Sequence, residues 1–160
     1  MERVFIGVGS NEGERFDNIS ESLRRLSRVP GVCVIQMAPV IETEPVGGPP
    51  QDPYLNTVAE LETVLEPLEL LDVLKSIEAA MGRKPAKERW TPRPIDLDIL
   101  LYGEHVFSHE RLIIPHVLLH ERRFVLEPLV QLASHVEHPV LKRTAVQLLE
   151  ALDSTAAAAR

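Results

Sequence analysis

The stretch R-P-I-D-L-D-I-L-L-Y-G, residues 93–103, sets two aspartates two positions apart inside an otherwise apolar run. Ile95 to Tyr102 reads as a strand, closed by a turn at Gly103-Glu104. Strand alternation places Ile95, Leu97, Ile99 and Leu101 on one face and Asp96, Asp98, Leu100 and Tyr102 on the other. The first face is core. At about 3.3 Å per residue the two carboxylates start roughly 6.6 Å apart. Their repulsion costs about 0.6 kcal/mol in water but about 2.5 kcal/mol at an effective dielectric near 20. On an open edge the pair is cheap; inside a cleft it needs a cation or an arginine. Hard oxygen donors at this spacing suit Mg²⁺, which keeps several waters and accepts phosphate oxygens. A solvent-facing edge would accept the same pattern.

Outward from this strand the elements alternate. Val4 to Val8 reads as an opening strand that ends in the turn-forming Gly9-Ser10-Asn11-Glu12-Gly13. Phe16, Ile19, Leu23 and Leu26 fall at helical spacing, and Pro30-Gly31 breaks the chain before a second strand, Val32 to Met37. Residues 43–53 hold four of the 13 prolines and two of the eight glycines, so they form an irregular loop. Tyr54 to Leu65 reads as a third strand. Glu66-Pro67 starts a helix whose Leu70, Leu71, Leu74, Ile77 and Met81 share one face, and Gly82 ends it. Residues 83–94 are again irregular and carry Arg83, Lys84, Lys87, Arg89 and Arg93. Short extended pieces are expected at His105 to Phe107 and Leu112 to Ile114, and helices at Leu118 to Leu132 and Ala145 to Leu152. Residues from about 154 to 160 read as a frayed tail.

This order predicts a single α+β domain over residues 1–160. A ferredoxin-like βαββαβ core fits: a mostly antiparallel sheet with helices packed on one face. A doubly wound parallel sheet is the competing layout.

Composition narrows the function. The 160 residues are 44% apolar and 26% charged, ordinary for one globular domain. A net charge of −7 argues against a nucleic-acid or membrane-surface binder, so an anionic ligand needs a local basic cluster. Residues 83–93 supply one, directly ahead of the aspartates. Cys33 is the only cysteine, which excludes an internal disulfide and suits a reducing cytoplasm. The start of the chain has no signal-peptide pattern, and a cytoplasmic location is expected. His116 and His120, four apart, could share a metal on a helix, but no third ligand is evident. Gly7 and Gly9 do not complete a dinucleotide fingerprint.

The string Arg93-Pro94-Ile95-Asp96-Leu97-Asp98-Ile99-Leu100 resembles the signature of the 6-hydroxymethyl-7,8-dihydropterin pyrophosphokinases of folate biosynthesis. Gly9-Ser10-Asn11, Thr43-Glu44-Pro45 and Tyr54-Leu55-Asn56 match further family motifs. So do Glu78, Gly82-Arg83, Glu88-Arg89-Trp90, Pro92-Arg93, Pro115-His116 and Arg122-Arg123-Phe124. The resemblance covers about residues 4 to 130.

It implies a ferredoxin-like enzyme that moves pyrophosphate from ATP, its co-substrate, to the hydroxymethyl group of the dihydropterin, releasing AMP. Asp96 and Asp98 are then the ligands of two Mg²⁺ ions, and Arg83 and Arg93 stabilise the transferring phosphates. The implied ATP contacts are Glu78, Arg83, Arg89, Arg93, Ile99, Arg111, His116 and Arg122. The implied pterin contacts are Thr43, Pro45, Val46, Tyr54, Asn56, Trp90 and Phe124. No residue is assigned as general base. Ile113 and Val117 stand where some family members carry polar or aromatic residues beside the nucleotide. A monomer with small-molecule substrates and no nucleic-acid or membrane partner is expected. Two alternatives stand beside this reading. One is another Mg²⁺-dependent phosphoryl transferase or nucleotide hydrolase. The other is a ferredoxin-like ligand-binding domain without catalysis.

Overall fold

The computed structural model describes residues 1–44, 50, 52–82 and 93–158. Its elements follow in chain order: β1 (Glu2–Ser10), α1 (Arg15–Ser27), β2 (Val32–Met37), β3 (Ile41–Thr43), β4 (Tyr54–Thr63), α2 (Pro67–Ala80) and β5 (Asp96–Tyr102). After these come β6 (Phe107–His109), β7 (Leu112–Ile114), a 3₁₀ turn (Leu119–Glu121), α3 (Arg123–Ala133) and α4 (Ala145–Ala158).

Strand β1 is the axis, paired along its length with β4 on one side and with β5 on the other. The sheet order is β2-β4-β1-β5, with β3 also on β4, and every pairing is antiparallel. With β4 counted as the third long strand, this is the ferredoxin-like order, and the parallel layout is excluded.

Helices α1 and α2 cover one face. Ile19 and Leu26 of α1, and Leu70, Leu74 and Ile77 of α2, join Val4, Ile6, Val8, Leu61, Leu97 and Ile99 in one core. Phe16, expected on the buried stripe of α1, is 55% exposed. Helix α2 starts as expected. Pro67 takes the first position, where its missing N–H costs nothing, and the Glu66 N–H donates to Glu69 Oε1 at 3.0 Å.

Helices do not stay on one face, and here the expectation is corrected. A second core joins Phe5, Val58, Leu100 and Leu101 to Leu119, Val125, Leu126 and Leu129, with Ala145 and Leu148 of α4. The sheet carries apolar side chains on this face too, so α3 and α4 are needed to take them out of water.

The alternation predicted for β5 also breaks. Phe5 pairs with Leu101 but Ile6 pairs with Ile99, so Leu100 is the extra residue of a β-bulge. Leu100 and Leu101 therefore both enter the second core, and Tyr102 turns into the first, where its hydroxyl donates to the Leu65 carbonyl. Asp96 and Asp98 lie before the bulge and keep their common face.

Smaller differences follow from local chemistry. Strand β3 rises out of the proline-rich loop because Ile41–Thr43 can still pair with Tyr54–Asn56. The first extended piece after β5 lies at Phe107–His109, in register with Leu112–Ile114, instead of at His105. The helix expected from Leu118 is interrupted at Arg122, whose extended backbone separates the 3₁₀ turn from α3. Helix α4 continues to Ala158, through the segment read as a tail. Among the described residues no helix is long and apolar enough to cross a membrane.

Candidate active site

One end of the sheet gathers the polar residues. Register sets Gly7 against Asp98 and Gly9 against Asp96 on one side of β1, and Gly9 against Asn56 on the other. Cross-strand partners face the same way, so two aspartates and an asparagine stand around a floor of two glycines. Above this floor is a cavity of about 600 Å³, whose lining includes Thr43, Tyr54, Arg93, His116, Arg122 and Phe124. Of the second-face helices, the start of α3 reaches this lining, through Arg123, Phe124 and Val125.

The side chains are held from behind. Asn56 Nδ2 donates to Thr43 Oγ1 at 2.6 Å, which orients the amide. Arg93 is fixed through its backbone: its N–H donates to Asn11 Oδ1 at 2.8 Å, and its carbonyl accepts from the Asn11 N–H at 3.1 Å. The Asn11 amide also donates to the Asp52 carbonyl at 3.4 Å, so one buried side chain ties three segments together. Arg93 Nη1 lies 3.6 Å from Asp96 Oδ1, yet its Nε is buried with no hydrogen-bond partner among the described residues. A buried donor left unmade is costly unless a ligand completes it. The guanidinium of Arg122 sits 5.5 Å from the centre of the Phe124 ring.

A second cavity of about 310 Å³ opens on the other side of β5, lined by Ile99, Arg111, Ile113 and Val117 among others. Lys75, Asp98 and His116 border both cavities. Lys75 was missed in the sequence. Its position one helical turn before Glu78 was the available signal, since the two share a face of α2.

Glu78, an ATP contact by the family resemblance, is held against β5. It is 3% exposed and lines neither cavity. Its Oε2 accepts the Leu97 N–H at 2.8 Å and its Oε1 lies 3.3 Å from Lys75 Nζ. Since β5 is a sheet edge, this carboxylate satisfies an outward N–H between the two aspartates.

Electrostatics single out Asp98. Burial, then the charges of Asp96 and Glu78, push its carboxyl up to about 7, against the opposing pull of Lys75 and Arg122. Burial and the Arg122 charge lower the His116 imidazole, opposed by Asp96, so the ring favours its neutral form. Its Nδ1 accepts the Leu118 N–H at 3.1 Å.

Among the described residues no three His, Cys, Asp or Glu side chains gather as a metal cage. His120 meets the ring of His138, 6.4 Å between centres, instead of sharing a site with His116. Two carboxylates without a cage fit Mg²⁺, which takes one or two protein oxygens and completes its shell with water and phosphate. Pro45, Val46, Arg83, Arg89 and Trp90 lie outside the described residues.

The chain is 48% identical over 132 residues to the folate synthesis bifunctional protein of Arabidopsis thaliana, covering 82% of this chain and 27% of that protein. It thus spans about a quarter of that relative's length. It is 40% identical over 139 residues to the 2-amino-4-hydroxy-6-hydroxymethyldihydropteridine pyrophosphokinase of Pseudomonas aeruginosa, covering 87% of this chain and 85% of that one. A crystal structure of Plasmodium falciparum HPPK-DHPS with pteroate has the same fold, with a TM-score of 0.77 at 16% identity. That match covers 96% of this chain and 42% of the other. The profile of one family matches residues 5–134, a span that holds both aspartates, the glycine floor and the start of α3. The chain belongs to the 7,8-dihydro-6-hydroxymethylpterin-pyrophosphokinase (HPPK) family.

Proposed function

We propose that the chain transfers the pyrophosphoryl group of ATP to the hydroxymethyl group of 6-hydroxymethyl-7,8-dihydropterin, releasing AMP, a step of folate biosynthesis. The observation that carries this reading is the meeting of two cavities at Asp98, Lys75 and His116. A two-substrate transfer needs two compartments that share the reacting centre, and this site has that form.

The larger cavity suits the pterin. Tyr54 and Phe124 offer aromatic faces to a flat heterocycle, and Asn56, held by Thr43, offers an oriented amide. The smaller cavity suits the nucleotide, with Ile99, Ile113 and Val117 as apolar walls and Arg111 at its edge. Between them Arg93, Arg122 and Lys75 supply positive charge to the phosphates, and Arg93 Nε, buried without a partner among the described residues, is a donor already desolvated for an anion. In the reaction the hydroxymethyl oxygen forms a bond to the β-phosphorus. The bond from that phosphorus to the α–β bridging oxygen breaks, and AMP keeps the bridging oxygen. The hydroxyl proton leaves to solvent or phosphate, and no side chain is assigned as its acceptor.

Asp96 and Asp98 are the residues that would hold Mg²⁺, two ions in our reading. When bound, the metal supplies charge that neutralises the phosphates and helps align the displacement. The residues outside the described ones, Arg83, Arg89, Trp90, Pro45 and Val46, are assigned the contacts that the family resemblance implies.

Incubation with ATP, Mg²⁺ and the reduced pterin, followed by chromatography of the nucleotides, tests the proposal. AMP formed only when pterin is present supports it. ADP, or turnover without pterin, would indicate a different phosphoryl transferase or a hydrolase. No turnover at all would indicate a binding domain.

A further inference from the structure

Gly7 lies in the middle of β1, the strand with a neighbour on both sides, yet it is the one residue from Val4 to Ser10 that is not buried. Its register partners are Val58 and Asp98, and it lines the larger cavity. On the same face the next side chain inward, Phe5, is 1% exposed and belongs to the second core. Gly7 is therefore where the cavity floor ends and solid packing begins.

The fold itself does not need a glycine there. Its backbone is not in the left-handed conformation that favours glycine. A Cβ built on it would meet nothing nearer than the Leu100 side chain at 3.7 Å, an ordinary contact. Gly9 is different, since a Cβ there would sit 2.7 Å from Asn56 Oδ1 and displace the amide. Glycine inside a strand loses conformational entropy on folding and leaves nothing to pack. A strand glycine that neither backbone nor packing demands marks close approach by something else.

We propose that Gly7 is a specificity-determining residue: its missing side chain sets the depth of the cavity at the inner end, where the edge of the pterin ring rests on bare β1 backbone. This rests on the reading of that cavity as the pterin compartment. The nucleotide compartment does not include Gly7 in its lining, so the effect is confined to one substrate.

The test uses Gly7→Ala and Gly7→Val in the full chain, with wild type shown first to form AMP only when pterin is present. Pterin binding is followed by the fluorescence of the pterin without ATP, ATP binding by calorimetry with Mg²⁺, and folding by thermal melts. Gly7→Ala is expected to melt at or above the wild-type temperature, bind pterin roughly tenfold more weakly and bind ATP as wild type does. Gly7→Val is expected to lose more pterin affinity, again with ATP binding held. Wild-type pterin affinity in both variants would overturn the proposal while leaving the function reading in place. Equal losses for pterin and ATP, or a lowered melting temperature in Gly7→Ala, would overturn it too, because the glycine would then serve the fold. A wild type that forms no AMP would overturn the function reading and this proposal with it.

Discussion

Two carboxylates on the same face of the sheet, Glu60 and Asp98, show what the fold completes and what it leaves open. Glu60 lies opposite Phe5 on β4 and is 7% exposed. Burial would raise its pKa, but hydrogen bonds from Gln36 at 3.0 Å and from Arg3 at 3.2 and 3.3 Å, with the Arg3 charge, hold it below the usual value. Asp98 sits two register positions along the same central strand, and burial with its carboxylate neighbours pushes it up to about 7. One acid is satisfied by the chain's own groups. The other is buried among like charges that outweigh the pull of Lys75 and Arg122, which is the electrostatic mark of a binding site.

The sharpest break of this contrast is Asp98→Asn, which keeps the shape and removes the charge. Turnover is expected to fall on the order of 10³-fold or more. A melt in EDTA should show no loss of stability. Near-wild-type activity would remove Asp98 from the reaction. The sign of its pH effect also follows. An acid whose folded pKa is raised binds its proton more tightly in the native state, so the metal-free protein loses stability as pH rises from about 4 to 7. Asp98→Asn should flatten that slope, and Mg²⁺ should raise the wild-type melting temperature more at pH 8 than at pH 5.5.

Arg93→Ala comes next. It removes the desolvated donor and the cation beside Asp96, and kcat should fall about 10²-fold with a smaller change in ATP affinity. An effect confined to KM would mean that Arg93 binds the ground state alone.

A third variant tests the support behind the pair. Glu78→Ala strips the acceptor from the Leu97 N–H and should cost about 1–3 kcal/mol in stability. Glu78→Gln keeps an acceptor and should recover most of it. If the two variants melt alike, the hydrogen bond is not what Glu78 contributes.

The smallest effects belong to the satisfied acid. Arg3 is half-exposed, so Arg3→Ala should cost only about 0–1 kcal/mol and leave turnover unchanged. Glu60 has a lowered folded pKa, so its contribution is present above the unfolded pKa near 4.5 and is lost as pH falls through the folded value. Glu60→Gln should therefore melt with less dependence on pH below about 4.5. Loss of activity in either variant would break the contrast between the two regions.

Much of this arrangement was legible locally. Period-2 and helical spacing located β1, β2, β4, α1 and α2 within a few residues, because each element repeats one apolar face. Asp96 and Asp98 were legible for the same reason, since alternation separates them from Ile95, Leu97 and Ile99. The bulge at Leu100 was not, because it arises where β5 meets β1 and no single-strand pattern records a partner's register. Glu78 illustrates the same limit: the family resemblance marks it, but only the outward Leu97 N–H shows what it touches. Lys75 gained its significance from two cavities that meet across β5, a relation absent from α2 alone.

By itself the sequence determined the alternation of elements, the common face of the two aspartates and the family motifs that name the substrates. Those features depend on neighbours within a few residues, where backbone geometry dictates direction. Only the tertiary structure decided that helices cover both faces and that β5 shifts its side chains at Leu100. It alone set Gly7 opposite Asp98 at the inner end of a cavity. Those outcomes depend on which strands pair and in what register, a choice made by the burial of the whole sheet and not by any one segment.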